Sequence, residues 1–274
     1  MYRAAAQMNS PWLTVLMPAY NEEAGLSRSI SLVASRLKEL QVPSEILIVD
    51  DCSSDRTGRI ADELTGHYLP DETITLRVFH QASNQGIGGG LRTGIAEALG
   101  EWLILIPADL ALDLADLSKY FDSASVADIV VGIASDRKDY TAWRRLVSFA
   151  NAESVRILFR MKQRQFQYIC MYRLAVLRSM DIEYWRSAFF HAEILIKARD
   201  RGYRLVEVEV RYLPRSSGTP TGANWQLIAK TSRDMLRYWT RWITRRDFVA
   251  PGGLVSHAEP PESSPRRLDH DRTH

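Results

Sequence analysis

The chain predicts an α/β fold with a mostly parallel sheet flanked by helices, and three observations carry that expectation. Strand-like apolar runs alternate with helix-periodic stretches as far as residue 135, the pattern of βαβ units. The runs are short and strand-like in their apolar content. Four of them end in polar clusters, and in an open sheet the loops beyond the carboxyl ends of strands converge on one crevice.

The elements follow in order. Leu13 to Met17 is a strand opening onto Pro18-Ala19-Tyr20-Asn21-Glu22. Glu23 to Leu40 carries Leu26, Ile30, Val33, Leu37 and Leu40 at helical spacing. Ile46 to Val49 is a strand ending at Asp50-Asp51, and Asp55 to Leu64 is a helix after a candidate cap at Ser53-Ser54. Thr75 to Phe79 leads into the glycine-rich stretch Asn84 to Gly94, with a helix over Gly88 to Leu99. Trp102 to Ile106 ends at Pro107-Ala108-Asp109, Leu114 to Phe121 is a fourth helix, and Ile129 to Ile133 a fifth strand. The second half is richer in helix: Thr141 to Phe159 and Phe189 to Arg201, with strand-like Phe166 to Met171 between them. Leu205 to Val210 alternates as a half-exposed strand does. A long helix follows from about Asn224 to Arg246, and beyond Pro251 no apolar period remains, which predicts a disordered tail.

This organisation predicts an arm over 1–11, one main domain over 12–222, a basic amphipathic helix over 223–246 and a tail over 247–274. The main domain divides into a first half, about 12–113, and a second half, about 114–222. A composition of 46% hydrophobic and 25% charged residues suits a globular core. The formal net charge of +2 gives no reason to expect nucleic-acid binding. Cys52 and Cys170 lack metal-ligand spacing and suit structural roles in a reducing compartment. The amino terminus has no apolar signal core, and no run reaches the roughly 18 to 20 apolar residues that cross a bilayer. The expected location is cytoplasmic, free or peripheral on the inner membrane face.

The polar clusters describe a nucleotide site. Carboxylates such as Asp50, Asp51 and Asp109 suit a ribose, a base edge or a divalent metal. Gly86, Gly88 and Gly90 permit close approach of a phosphate chain, and the helix they open offers free N–H groups. No dinucleotide fingerprint is present, since Leu91 takes its last glycine position, and there is no Walker sequence.

In order and spacing, Val15 to Glu23, Ile48 to Thr57 and Asn84 to Gly94 resemble the family 2 glycosyltransferases of GT-A fold, within them the dolichol-phosphate mannose synthase and polyprenyl-phosphate glycosyltransferase branch. The resemblance covers roughly residues 12 to 220. It implies an inverting transfer from a nucleoside-diphosphate sugar, with Mg²⁺ or Mn²⁺ as cofactor. It places Pro18, Ala19 and Tyr20 under the base, Glu22 near base or ribose, and Asp50 and Asp51 on base and ribose. Asp51 has an alternative reading as the cap of the helix near Asp55, and Arg92 either reaches phosphate or covers helix surface.

The family's Asp-x-Asp appears here as Pro107-Ala108-Asp109. Asp109 matches the metal-binding carboxylate, the first Asp is absent, and Ala111 stands at a common Gln position. One carboxylate can hold Mg²⁺ with phosphate oxygens and waters. Asp113 either assists or starts a helix. The departure leaves a non-catalytic nucleotide-sugar binder or scaffold as a rival to an enzyme.

For the acceptor, the resemblance implies Arg137, with Arg144 and Arg145 at a further basic position. Arg156, Arg160 and Arg164 share a face if their helix continues that far. Glu193 matches the family's acidic residue near the reaction centre: a general base for a hydroxyl acceptor, an orienting group for a phosphate one. His191 could act beside it or be a satisfied, partly buried histidine, and Arg215 is a phosphate clamp without the usual following Lys. A polyprenyl phosphate is the expected acceptor, and a hydroxyl acceptor the alternative. On the last helix Trp225, Ile228, Met235, Leu236, Trp239, Trp242 and Ile243 form an apolar stripe beside Arg233, Arg237, Arg241 and Arg245. That stripe suits a membrane surface, the domain itself or a second copy in a homo-oligomer.

Overall fold

A computed structural model describes residues 10–67, 73–135, 140–213 and 225–244. Seven strands form one sheet in the order β3-β2-β1-β4-β6-β5-β7. They are β1 Leu13–Ala19, β2 Ser44–Asp50, β3 Ile74–His80, β4 Trp102–Leu105, β5 Ile129–Ser135, β6 Cys170–Arg173 and β7 Leu205–Arg211. The first four are parallel to one another, and β6 runs antiparallel to both β4 and β5. Two reversals restore direction, so β5 and its parallel partner β7 point the same way as β1 to β4. Six strands therefore end at one edge.

The alternation of side chains sorts each central strand into two cores. Leu13, Val15 and Met17 enter one cluster and Leu16 the other; Ile46 and Ile48 face one side, Leu47 and Val49 the opposite. A period of two places successive residues on opposite faces, and both faces are covered, as the continuous apolar runs require. The helices are α1 Leu26–Glu39, α2 Thr57–His67, α3 Gly86–Glu97, α4 Leu117–Ser123, α5 Ala142–Phe159, α6 Leu174–Arg178, α7 Phe190–Asp200 and α8 Trp225–Thr244.

Several boundaries move for identifiable reasons. The cap of α2 is Asp55, not Ser53 or Ser54: its Oδ1 accepts from the Thr57 amide at 2.9 Å. The strand expected over Phe166 to Met171 forms only from Cys170, where β6 finds partners on both β4 and β5. Gln165, just upstream, instead exchanges side-chain hydrogen bonds with the backbone of Ala134. Helix α5 stops at Phe159 because Arg160 turns left-handed at φ 54°. The arginine row at 156, 160 and 164 therefore does not share a helix face, and Arg164 pairs with Glu207 and Glu209 on β7.

The last helix also divides its stripe. Met235 and Tyr238 are buried, with Trp239 and Trp242 packed on the same core, whereas Trp225, Leu236 and Ile243 stay exposed. Trp242 donates to Asp200 at 2.7 Å. Of the three expected occupants of this stripe, the domain itself takes most of it. The tail and the arm lie outside the described residues, and among the described helices none is long and apolar enough to cross a membrane.

Candidate functional site

The polar loops gather at the shared carboxyl edge and are tied to one another. The loop after β1 is stitched to the loop after β2: Ser53 Oγ accepts from the Asn21 amide, Asn21 Oδ1 accepts from the Ser54 amide, and Thr57 Oγ1 accepts from the Glu22 amide at 2.8 Å. The loop after β2 reaches α3 through Asp51, whose two oxygens accept from the amides of Gln85 and Gly86, both at 2.7 Å. The loop after β4 is held from α1, where Ser29 Oγ donates to the carbonyl of Ala108 at 2.6 Å. Residues 18–22, 50–51, 85–92 and 107–109 therefore stand at one edge of the sheet.

Backbone conformation marks the same place. Asn21, Cys52 and Leu110 all have positive φ, at 55°, 58° and 47°. Non-glycine residues rarely sit there, and such strain collects where surrounding structure holds a site in place. Each of these residues adjoins or lies within a candidate contact segment, and Leu110 directly follows Asp109. Gly86 has φ +69° and open space where a side chain would be.

Individual side chains refine the expected roles. Tyr20 is 48% exposed over the crevice loops, with Pro18 and Glu22 half-buried and Ala19 buried. Asp50 is held from two directions, accepting from the Ser53 amide at 3.1 Å and lying 3.0 Å from His80 Nδ1. Asp50 and then Asp62 raise the His80 pKa above its ordinary value. Asp51 caps α3, not the helix near Asp55, because the end of α3 presents orphan amides to it. Its burial raises the carboxyl pKa against those two amides, which favour the anion.

Gly88 and Gly90 also serve packing, a need for glycine beside the expected close donor approach. A Cβ on Gly88 would lie 1.9 Å from the Trp185 carbonyl, and one on Gly90 would lie 3.1 Å from Pro18. Gly86 alone among the three has open space there. Arg92 is exposed and lines a cleft of about 270 Å³ with Gln85, Glu183, Trp185, Arg186 and Asp234. The sequence did not single out this 183–186 wall, since no motif or period marks it.

Glu193 departs most from expectation. It is fully buried; its oxygens accept from the amides of Glu183 and Tyr184 at 2.9 and 3.0 Å, and Lys197 Nζ stands at 2.6 Å. Held by three donors and shut from solvent, it presents no exposed face to an acceptor hydroxyl, which favours the orienting expectation over the general-base one. His191 Nδ1 is buried without a hydrogen-bond partner, and its ring lies 3.9 Å from that of Phe190. Burial pushes its pKa down to about 4, so near neutral pH it offers no cation to an acceptor phosphate. Arg144 covers the Tyr140 ring at 4.0 Å; Tyr140 contacts Tyr212, and Tyr212 contacts Tyr168, which donates to the Ala111 carbonyl. An aromatic chain thus joins Arg144 to the segment after Asp109. Arg137 and Arg215 lie outside the described residues.

The His191 shift has a signed consequence. Between the ordinary pKa of 6.5 and about 4, the unfolded chain binds a proton that the folded one refuses, so stability present above 6.5 is lost as pH falls. From pH 7 to 5 this amounts to about 2 kcal/mol. His80 acts oppositely, stabilising below 6.5 and losing that contribution as pH rises through its raised pKa. Urea midpoints at pH 7 and 5 should fall for the native chain, and fall less for His191→Leu. Equal slopes would contradict the assignment.

The residues present fit a divalent cation in a limited way. Asp109 is half-buried at the turn after β4, and Asp113 is already engaged, capping Ala115 and pairing with Arg211 at 2.9 Å. Among the described residues no group of three or more His, Cys, Asp or Glu side chains could hold a metal by itself. One carboxylate plus donor phosphates and water is the coordination that remains, and it is one Mg²⁺ accepts.

With this geometry in view, the family profile for glycosyl transferase family 2 matches residues 14–185. The chain belongs to that family. Its fold is GT-A-like: glucosyl-3-phosphoglycerate synthase from Mycobacterium tuberculosis, in complex with UDP, superposes with a TM-score of 0.64 at 18% identity, covering 86% of this chain and 82% of that one. The same enzyme has been crystallised with Mn²⁺ and UDP-glucose, and with Mg²⁺ and UDP. Among relatives, AglD of Haloferax volcanii is 25% identical over 92% of this chain, which spans 42% of that protein. The undecaprenyl-phosphate mannosyltransferase of Micrococcus luteus is 26% identical over 74% of this chain and 84% of its own length. For this family 2 chain the matched region includes all four crevice loops and stops at Trp185, the residue that abuts Gly88.

Proposed function

We propose that this chain transfers a sugar, with inversion, from a nucleoside-diphosphate sugar to a polyprenyl phosphate. The observation that carries the reading is the binding of the loops after β1, β2 and β4 and the start of α3 into one crevice edge, in a chain of this family. The polyprenyl-phosphate acceptor draws on the Micrococcus relative and on the human dolichyl-phosphate β-glucosyltransferase, 33% identical over 39% of this chain.

In this reading Tyr20 and Asp50 contact the base and ribose, with Glu22 beside them. Gly86 admits the diphosphate close to the backbone, and Arg92 meets its charge from the exposed face of α3. Asp109 would hold Mg²⁺ or Mn²⁺ together with the donor, and the ion would supply positive charge against the departing diphosphate. The acceptor phosphate comes in over Arg144, with Arg137 and Arg215 assigned to the same anion. A phosphate monoester is already largely ionised near neutral pH, so its oxygen attacks the anomeric carbon without a general base. That agrees with Glu193, whose carboxylate is committed to backbone amides and Lys197. A hydroxyl acceptor would need a base that the described crevice does not offer at Glu193.

The test is transfer itself. The chain, with Mn²⁺ or Mg²⁺, is supplied with a panel of radiolabelled UDP- and GDP-sugars and undecaprenyl phosphate, and label is followed into a lipid phase. An acid-labile lipid-linked product is the expected outcome. Label passing only to hydroxyl acceptors would overturn the acceptor, and donor binding without turnover on either acceptor would favour a binding protein.

A further inference from the structure

We propose that the outer faces of α5 and α8 together form a docking surface for an anionic lipid bilayer. Helix α5 buries only Val155 and Phe159 fully, while Ile157 is 73% exposed, Phe149 64%, and Leu146 and Trp143 also stand outward. At 100° per residue, Trp143, Leu146, Phe149 and Ile157 share one broad face, roughly opposite Val155 and Phe159. Soluble surfaces carry scattered apolar side chains, but a contiguous face of large ones marks an interaction site. On α8 the exposed Trp225, Leu236 and Ile243 fall on one line, eleven and eighteen residues from the first.

The two helices present these faces together. Trp143 near the start of α5 touches Trp225 at the start of α8, with ring centroids 5.1 Å apart. Phe159 at the end of α5 packs on Tyr238 and Trp242 near the end of α8. The helices thus run side by side in the same direction, and their apolar stripes meet at the Trp143–Trp225 end. That end follows β5, whose carboxyl terminus lies at the crevice edge of the sheet. A bilayer seated on the surface would present its headgroup layer beside Arg144 and Tyr140.

Charge selects the occupant. Arg144, Arg145, Arg156 and Arg160 accompany α5 against the single acid Glu153, and Lys230, Arg233, Arg237 and Arg241 accompany α8 against the single acid Asp234. Arg145 and Arg237 have no carboxylate partner among the described residues. Exposed tryptophans, aliphatic residues and surplus arginines are the composition of an interfacial helix on anionic lipid. The same surplus would repel a second copy of this face. The surface serves the polyprenyl-phosphate reading, though its evidence is separate from that of the crevice.

The experiment is flotation of the full chain with liposomes of phosphatidylcholine and of phosphatidylcholine mixed with phosphatidylglycerol, neither containing polyprenyl phosphate. The native chain should float with the mixed liposomes, weaken as salt rises, and show a blue shift of tryptophan emission. The double variant Phe149→Ser, Ile157→Ser should partition at least about tenfold less, since two large apolar groups no longer leave water. Its thermal midpoint, and its turnover on a short water-soluble polyprenyl phosphate, should be unchanged. A native chain that ignores mixed liposomes, or a double variant that floats like it, overturns the proposal. So does light scattering that shows a native dimer dissolved by the same substitutions. Flotation without transfer to any polyprenyl phosphate keeps the surface and sinks the acceptor; transfer to the soluble acceptor without flotation does the reverse.

Discussion

Asp109→Asn is expected to lower turnover by roughly 10²- to 10³-fold, the scale of losing a main stabiliser of developing charge. The size follows from the lack of a substitute. The neighbouring motif position is Pro107, and the other carboxylate downstream, Asp113, is tied to the Ala115 amide and to Arg211. Asn keeps the shape of the side chain and removes its charge, so the turn held by the Ser29 to Ala108 hydrogen bond should persist and thermal melting stay close to native. Calorimetry should show donor binding that Mn²⁺ tightens in the native chain and leaves nearly unchanged in the variant. Initial rates that match the native enzyme would remove Asp109 from the leaving-group role and require another source of neutralising charge, with Arg92 the first to examine.

What the sequence disclosed and what it concealed separate along a physical line. Runs such as Leu13 to Met17 and Ile46 to Val49 are apolar on both faces because both faces are covered, so strand identity was legible. The crevice loops were legible for a related reason: strands of one direction must deliver their loops to one edge. The direction of a carboxylate is a different matter. Asp51 turns to α3 because the orphan amides of Gln85 and Gly86 arrive there in the fold, and nothing within residues 48 to 57 announces them. The glycines of α3 carried the signal of close approach without disclosing the packing beside it, which for Gly88 is against the Trp185 backbone. Periodicity likewise located the apolar positions of α8 without saying which neighbour would take them. Tyr238 and Trp242 went to Phe159, while Trp225 was left outside with Trp143. The reversal of β6 was hidden too, since pairing direction depends on the path of α5 rather than on four residues of strand.

Glu193→Ala is expected to destabilise the fold by about 3 to 5 kcal/mol, the range for removing one partner of a buried ion pair. Three groups lose their acceptor at once. Lys197 is left with the longer contact to Glu183, the carbonyl of Asp181 and the face of the Tyr238 ring, and the amides of Glu183 and Tyr184 are orphaned under a wall that lines the cleft beside Arg92. Glu193→Gln separates this positioning role from proton transfer. The amide keeps one acceptor oxygen and loses the charge opposite Lys197, so part of the stability should go while the wall stays in place. With a phosphate acceptor, the folded fraction of Glu193→Gln should turn over within a fewfold of native, and its pH–rate profile should keep the native shape, because no proton leaves the acceptor through this side chain. A general base would instead show a loss of roughly 10² to 10⁴ with no loss of stability. Urea denaturation and initial rates on the same preparations distinguish the two, and a stable but inactive Glu193→Gln would return Glu193 to the reaction and a hydroxyl to the acceptor.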